Sequence, residues 1–499
     1  MKYFIGYDLG TSSVKAALLN ASTGQPVASS YSPVTEMEIL TPRAGFAEQD
    51  PEVWWKELIE ATRLLRQKIP FEKNEIGAIG ISYQMHGLVC IDRQYRTLRP
   101  SIIWCDSRAV NIGADAFRDL GSDYCLAHFL NSPGNFTASK LKWVKENEPG
   151  IYNRIFKILL PGDFIALKMT GEACTTISGL SEGIFWDYAE NDIGSSLLNY
   201  YGIDQGVLAN ALPCFGEQGR LQDAAAELLG IASGVPVCYR AGDQPNNAFS
   251  LQVLDPGEMA ATAGTSGVMY AVADKPGFDP KSRVNSFIHV NHSTQHNRLG
   301  VLMCLNGTGA FYRWLQKEFF HDMTYDDMNT GAARIPAGSE RIYCYPFGNG
   351  AERILENRNP GAHISGLDFN YHKKFHIARA AQEGIVFSLM YGWEIMQQMG
   401  IPLTLVRAGK ANMFLSPVFA RTFSDLLDCP VELYNTDGAL GAARGAGYGC
   451  GYYGNIRESY TGMKILERIE PDYKSSAQLR EFYENWKTGL LHLLANSPE

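Results

Sequence analysis

Little in this chain points to a special environment. Its ten cysteines are scattered over 499 residues, without a CxxC pair or a compact Cys/His cluster. That argues against a disulfide scaffold or a zinc module and for reduced, mostly buried thiols. Lys/Arg clusters are lacking too. The 44 basic and 53 acidic residues leave a formal charge of −9, a poor basis for binding nucleic acid or an anionic membrane. The opening Met1-Lys2-Tyr3-Phe4-Ile5-Gly6-Tyr7-Asp8 has no signal-peptide core. No window approaches the ~20 uninterrupted apolar residues of a membrane span. A cytoplasmic protein is the expectation, with no nucleic-acid or membrane partner. The composition is that of a globular protein: 45% hydrophobic, 19% charged and 11% aromatic residues can bury sizeable cores in two to four domains at about 150 residues each.

With no Pro/Ser-rich linker to mark a boundary, an internal echo supplies one. Residues 10–18 read Gly-Thr-Ser-Ser-Val-Lys-Ala-Ala-Leu and residues 264–272 read Gly-Thr-Ser-Gly-Val-Met-Tyr-Ala-Val. Each follows a β-rich run and opens a second one. The spacing divides the chain into halves, 1–245 and 246–499, each starting on the same strand–turn–strand device. Asp50-Pro51 reads as an N-cap with proline at the first helical position. Trp54, Leu58, Ala61 and Leu65 then mark an amphipathic helix that ends near Pro70. Ile76–Ser82 and Leu88–Ile91 read as strands on either side of Gln84-Met85-His86-Gly87. His376–Gln398 has helical periodicity, Leu403–Val406 is strand-like, and the Ala/Gly-rich run from Asp437 to Gly447 suits a helix packed closely on a neighbour or ligand. Strands alternating with helices in both halves predict the α/β class.

Four segments offer chemistry. Asp8-Leu9-Gly10-Thr11-Ser12 delivers a carboxylate into a Gly-Thr-Ser turn, whose N–H and hydroxyl groups suit phosphate oxygens beside a hydrated Mg²⁺. The same residues also make an ordinary β-turn. It is neither a Walker A loop nor a GxGxxG fingerprint. Gly242-Asp243-Gln244 follows the apolar run Val235–Tyr239; Asp243 is either a helix cap or a general base for phosphoryl transfer. Gln84-Met85-His86-Gly87 and Trp104-Cys105-Asp106-Ser107-Arg108 combine neutral, cationic and anionic groups with an aromatic face, a set suited to a polyhydroxylated ligand. A structural histidine and a surface Asp–Arg pair are the plainer readings.

In this order, the motifs resemble the FGGY family of carbohydrate kinases, the xylulokinases above all, over nearly the whole chain. Gly45-Phe46-Ala47-Glu48-Gln49-Asp50-Pro51 with Trp54-Trp55 is similar to the stretch before that family's first long helix. Phe136-Thr137-Ala138-Ser139-Lys140-Leu141 resembles one family signature, and Gly366-Leu367 with His376–Gly384 resembles the other. The resemblance implies two ribonuclease-H-like lobes of the actin/hexokinase/heat-shock ATPase superfold, a sugar-binding lobe and a nucleotide-binding lobe with a cleft between them. It implies ATP and Mg²⁺, a sugar as partner, and a homodimer. Asp243 would be the catalytic base. Gln84, Met85, His86, Trp104, Asp106, Asp243 and Gln244 would surround the sugar. Thr11, Ser12, Gly264, Thr265, Gly309, Gly409 and Asn412 would surround the nucleotide, with Asp8 and Asp243 on the metal. D-Xylulose, phosphorylated to D-xylulose 5-phosphate, is the expected acceptor. Another pentulose, a polyol or an aldonate is the alternative, and a non-catalytic sugar-binding sensor the more distant one.

Three departures from the xylulokinase pattern stand out. Arg407-Ala408-Gly409-Lys410-Ala411-Asn412 replaces a Gly-Gly-Gly-Ala-x-Ser adenine loop, which puts close backbone approach and nucleotide preference in question. Tyr83 replaces a glycine ahead of Gln84. Asn349-Gly350-Ala351-Glu352-Arg353 only loosely matches a Ser-Gly-Glu-Arg segment.

Overall fold

The computed structural model describes residues 1–496. The chain forms two compact units. The first comprises residues 1–252, 287–299 and 436–463; the second comprises 253–286, 300–435 and the described residues from 464 onwards.

The first unit is built on a five-stranded sheet. Its strands are β1 (Tyr3–Leu9), β2 (Val14–Asn20), β3 (Pro26–Ser32), β4 (Ile76–Tyr83) and β5 (Val237–Gly242), in the order β5-β4-β1-β2-β3. β1, β2 and β3 form an antiparallel meander, while β4 and β5 run parallel to β1. β4 is buried along its full length, as expected of a parallel strand covered on both faces. One face packs the helix Pro51–Lys68 through Trp54, Leu58, Ala61 and Leu65. Asp50 caps that helix, its side chain accepting from Glu52 N–H. The other face packs the helix Gly438–Gly449.

That second helix explains why the compact units depart from the expected division at 245/246. A Cβ on Gly6 would overlap the Ala439 carbonyl, and one on Gly80 would overlap that of Ala442. Only glycine in the strands and Ala/Gly in the helix permit so close an approach, so a segment from the far end of the chain belongs to the first unit. Arg444, buried in that helix, donates to the carbonyls of Ser459 and Gly24 and ties the segment down.

The second unit contains a seven-stranded sheet. Its strands are β6 (Gly257–Ala263), β7 (Gly267–Ala273), β8 (Asn285–Ile288), β9 (Leu299–Leu305), β10 (Leu403–Gly409), β11 (Val431–Tyr434) and β12 (Ile465–Ile469), in the order β8-β9-β7-β6-β10-β11-β12. β6 and β7 flank the second Gly-Thr-Ser turn as an antiparallel pair, and β10 runs parallel to β6, as β1/β2 and β4 do in the first unit. The echo in the sequence is thus one repeated device. The long helix Lys374–Gln398 carries a buried face running from Ala378 to Met396. Among the described residues no helix is long and apolar enough to cross a membrane, and all ten cysteines are free.

Candidate active site

Strand register brings the first unit's predicted residues together. Asp8 on β1 is level with Ser82 on β4, and Gly242 on β5 is level with Tyr83. The three parallel strands therefore end at one edge, carrying Asp8, Gln84-Met85-His86 and Asp243. The carboxyl ends of parallel strands are where open α/β sheets place their ligands.

Asp8 is half-buried and accepts a 2.7 Å hydrogen bond from Ser82 Oγ. Burial is the main cause that raises its pKa; the Ser82 bond opposes it, and the charge of Asp437 adds to it. Asp437 caps the helix Gly438–Gly449 and pairs with Lys15 at 2.5 Å. Asp243 is the first residue of the helix Asp243–Ser250, with Gly242 in the cap position; the plain capping role is therefore not its own. Its pKa is raised to about 7, first by burial and then by the charge of Asp8, while bonds from Gln244 pull the other way. Two carboxylates that disfavour each other's ionisation invite a cation. Among the described residues no group of three ligating side chains forms a cage. This donor set fits Mg²⁺, which keeps its waters and takes one or two carboxylates alongside phosphate oxygens.

Gln84 and Met85 are buried. His86 adopts φ 61°. Its backbone N–H donates to Glu182 Oε1 (3.2 Å) and its ring Nδ1 donates to the Glu182 carbonyl (2.9 Å). A carbonyl can only accept, so Nδ1 carries the proton. Glu182 is fully buried, with Oε2 unpartnered and lying where a Gly242 side chain would be. Sequence reading missed it, since nothing in Ser181-Glu182-Gly183 signals a site. Trp104 is 53% exposed, but Asp106 is sealed at 0%. The Asp106 carboxylate binds Ala47 N–H and the Arg108 guanidinium. Arg108 also pairs with Glu48 and lies 3.8 Å from the centre of the Phe46 ring. The Asp106–Arg108 pair is thus a buried brace beneath the Trp104 loop.

In the second unit, a cavity of about 560 Å³ is lined by Gly264, Thr265, Gly309 and Asn412, four of the predicted nucleotide residues; Gly409 does not line it. The Gly264 and Thr265 carbonyls accept from Gly309 N–H (2.8 Å) and Ala310 N–H (3.1 Å) at the start of the helix Thr308–Phe319, locking the turn to the helix. A Cβ on Gly309 would overlap the Gly264 carbonyl. Tyr312, Tyr325 and Asn329 complete the wall, and no spacing in the sequence marked them. Gln382 holds Tyr312 and Asn329 from behind (2.8 and 3.0 Å). Arg407 does not reach this cavity: it pairs with Glu258 (2.8 Å) and Glu432 (3.2 Å). These two carboxylates, on the neighbouring strands β6 and β11, hold the arginine that replaces a glycine away from the cavity wall.

Family models bear on this geometry directly. The N-terminal domain model of the FGGY family of carbohydrate kinases matches residues 3–250, and its C-terminal domain model matches residues 259–450. The xylulose kinase of Escherichia coli K12 is 30% identical over 459 residues, covering 89% of this chain and 88% of that protein. Two solved structures from Lactobacillus acidophilus share the fold at 22% identity. A ligand-bound xylulose kinase has a TM-score of 0.90 and covers 100% of this chain and 99% of its own; a gluconate kinase has 0.88 and covers 99% of each. The chain belongs to the FGGY family of carbohydrate kinases, with the α/β fold of the actin/hexokinase superfold. It is a sugar kinase.

Proposed function

We propose that this kinase transfers the γ-phosphoryl group of ATP to the terminal hydroxyl of D-xylulose, giving D-xylulose 5-phosphate and ADP. The observation that carries the reading is the shared strand edge of Asp8, Gln84-Met85-His86 and Asp243. Asp243 takes the hydroxyl proton as the oxygen attacks the γ-phosphorus, and the bond to the β–γ bridging oxygen breaks. A carboxylate with a pKa of about 7 in the ligand-free protein is well matched to proton abstraction near neutrality. Asp8 and Asp243 would hold Mg²⁺, which when bound neutralises phosphate charge. Met85, His86, Trp104 and Gln244 line the sugar, with Gln84 and Asp106 behind them. On the first unit the backbone N–H groups of the Thr11–Ser12 turn and the Ser12 hydroxyl meet phosphate. On the second unit Gly264, Thr265, Gly309 and Asn412 hold the nucleotide, and Gly409 ends the strand beside them.

A neutral acceptor fits better than an aldonate. The cations flanking the acceptor motifs are engaged: Arg99 with Glu148 (2.7 Å), Arg108 with Asp106 (2.7 Å), and Lys140 with two carbonyls. An aldonate carboxylate beside Asp8 and Asp243 would need a cation of its own.

A coupled ADP assay over ketoses, polyols and aldonates tests the proposal. Turnover should be greatest with D-xylulose and should fall by about 10²–10⁴ in Asp243→Ala while circular dichroism is unchanged. Folded protein without turnover on any acceptor refutes it, and tight sugar binding without ADP release marks a sensor instead.

A further inference from the structure

Thr11 lies in the turn expected to meet phosphate, yet its hydroxyl is committed elsewhere. Trp54 Nε1–H can only donate, and it donates to Gln49 Oε1 (3.0 Å). That fixes the Gln49 amide, whose Nε2 donates to the Thr11 carbonyl (2.8 Å). Gln49 Oε1 also accepts from Gln84 Nε2 (3.1 Å), so Gln84 turns Oε1 to Thr11 and accepts its hydroxyl proton (3.2 Å). The Thr11 oxygen is then an acceptor for Trp104 Nε1–H (2.9 Å). Both ends of this chain are indole N–H groups, which never accept, so the sense of every bond is determined. The relay runs from Trp54, buried in the core, to Trp104, whose ring is half exposed. Two of its members, Gln84 and Trp104, belong to the acceptor motifs.

We propose that Thr11 is a positioning residue for the sugar: its hydroxyl sets the pose of the Trp104 indole against which the acceptor binds and fixes the Gln84 amide behind it. The proposal rests on the sugar-kinase reading of this edge. A valine at position 11 keeps the shape but strands the Trp104 donor and the buried Gln84 acceptor together; a serine preserves both bonds.

The test is a split of Michaelis constants. Thr11→Val should raise KM for the pentulose about tenfold, the fold-change of one lost hydrogen bond, with KM for ATP changed less than about twofold. Thr11→Ser should stay within about twofold of the parent on both. Trp104→Phe, which keeps an aromatic ring and removes the N–H, should reproduce the pentulose effect, and adding Thr11→Val to it should give no further loss. Trp104→Phe compared with the parent also decides the matter if Thr11→Val fails to fold. A rise in KM for ATP alone, full additivity of the pair, or a Thr11→Ser variant as impaired as Thr11→Val overturns the proposal. Calorimetric pentulose binding without nucleotide, on the same variants, separates the two readings. Parent protein that binds pentulose but makes no ADP fails as a kinase while the relay is still read in Kd. Active parent protein with a pentulose Kd indifferent to Thr11→Val fails the relay alone.

Discussion

Lys140 is the cation whose burial should be most visible in solution. It lies in the helix Thr137–Asn147 at 0% exposure, and its Nζ donates to the carbonyls of His86 (2.8 Å) and Ile103 (3.0 Å). It thereby fastens the Gln84–Gly87 segment to the start of the Trp104 loop. Burial pushes its pKa down from 10.5 to about 7, with the charge of Asp106 opposing. Between those values the unfolded chain carries a proton that the folded one lacks, so the folded state gains stability as pH rises from 7 towards 10.5. The slope is about 1.4 kcal/mol per pH unit, and the whole shift amounts to about 5 kcal/mol. Below pH 7 both states are protonated and the penalty is constant. Lys140→Met removes this titration but strands two carbonyls, at about 1–3 kcal/mol each, so the two proteins should differ little at pH 7. Urea unfolding at pH 7, 8 and 9 should show the parent gaining about 3 kcal/mol relative to Lys140→Met across the range. A pH-independent difference refutes the reasoning, because it means that Lys140 keeps its ordinary affinity for a proton.

Two further substitutions address the two units separately. A Cβ at Gly438 would overlap Asp8 Oδ2, so Gly438→Ala should displace that carboxylate and lower kcat/KM about 100-fold, with an unchanged circular dichroism spectrum; full activity would mean that the position of Asp8 is immaterial. Arg407→Ala should leave KM for ATP within about twofold while costing about 2 kcal/mol of stability, since Glu258 loses its cation and Glu432 keeps Arg468 (2.6 Å) and the Tyr434 hydroxyl (2.8 Å); a large change in KM for ATP would place the arginine against the nucleotide.

Local chemistry made many elements legible in advance. The Asp50-Pro51 signal starts the helix Pro51–Lys68 where it should, the Gly-Thr-Ser echo marks two equivalent hairpins, and Gly400 and Pro402 follow the helix Lys374–Gln398. These depend on caps, turns and periodicity within a few residues, which a sequence displays directly. The roles that escaped depend on partners far along the chain. Asp106 reads as a candidate sugar contact because its neighbours are polar, but Ala47 and Arg108 close over it. Glu182 carries no motif and matters only because a strand end folds against it. The departure at Arg407 looks disruptive in a string of letters, but its side chain is paired with Glu258 and Glu432 on the neighbouring strands and does not line the cavity.

By itself the sequence determined the α/β class, the duplicated strand–turn–strand plan, the kinase family and the residues of the shared strand edge. Those follow from local periodicity and from ordered motifs. The tertiary structure decided which pieces belong together: that the Ala/Gly-rich helix near residue 440 completes the first unit, that the Thr11 hydroxyl serves Trp104 and Gln84, and that Asp8 raises the pKa of Asp243. Close packing, hydrogen-bond direction and electrostatic coupling all depend on distances between atoms, and residues hundreds of positions apart acquire those only when the chain has folded.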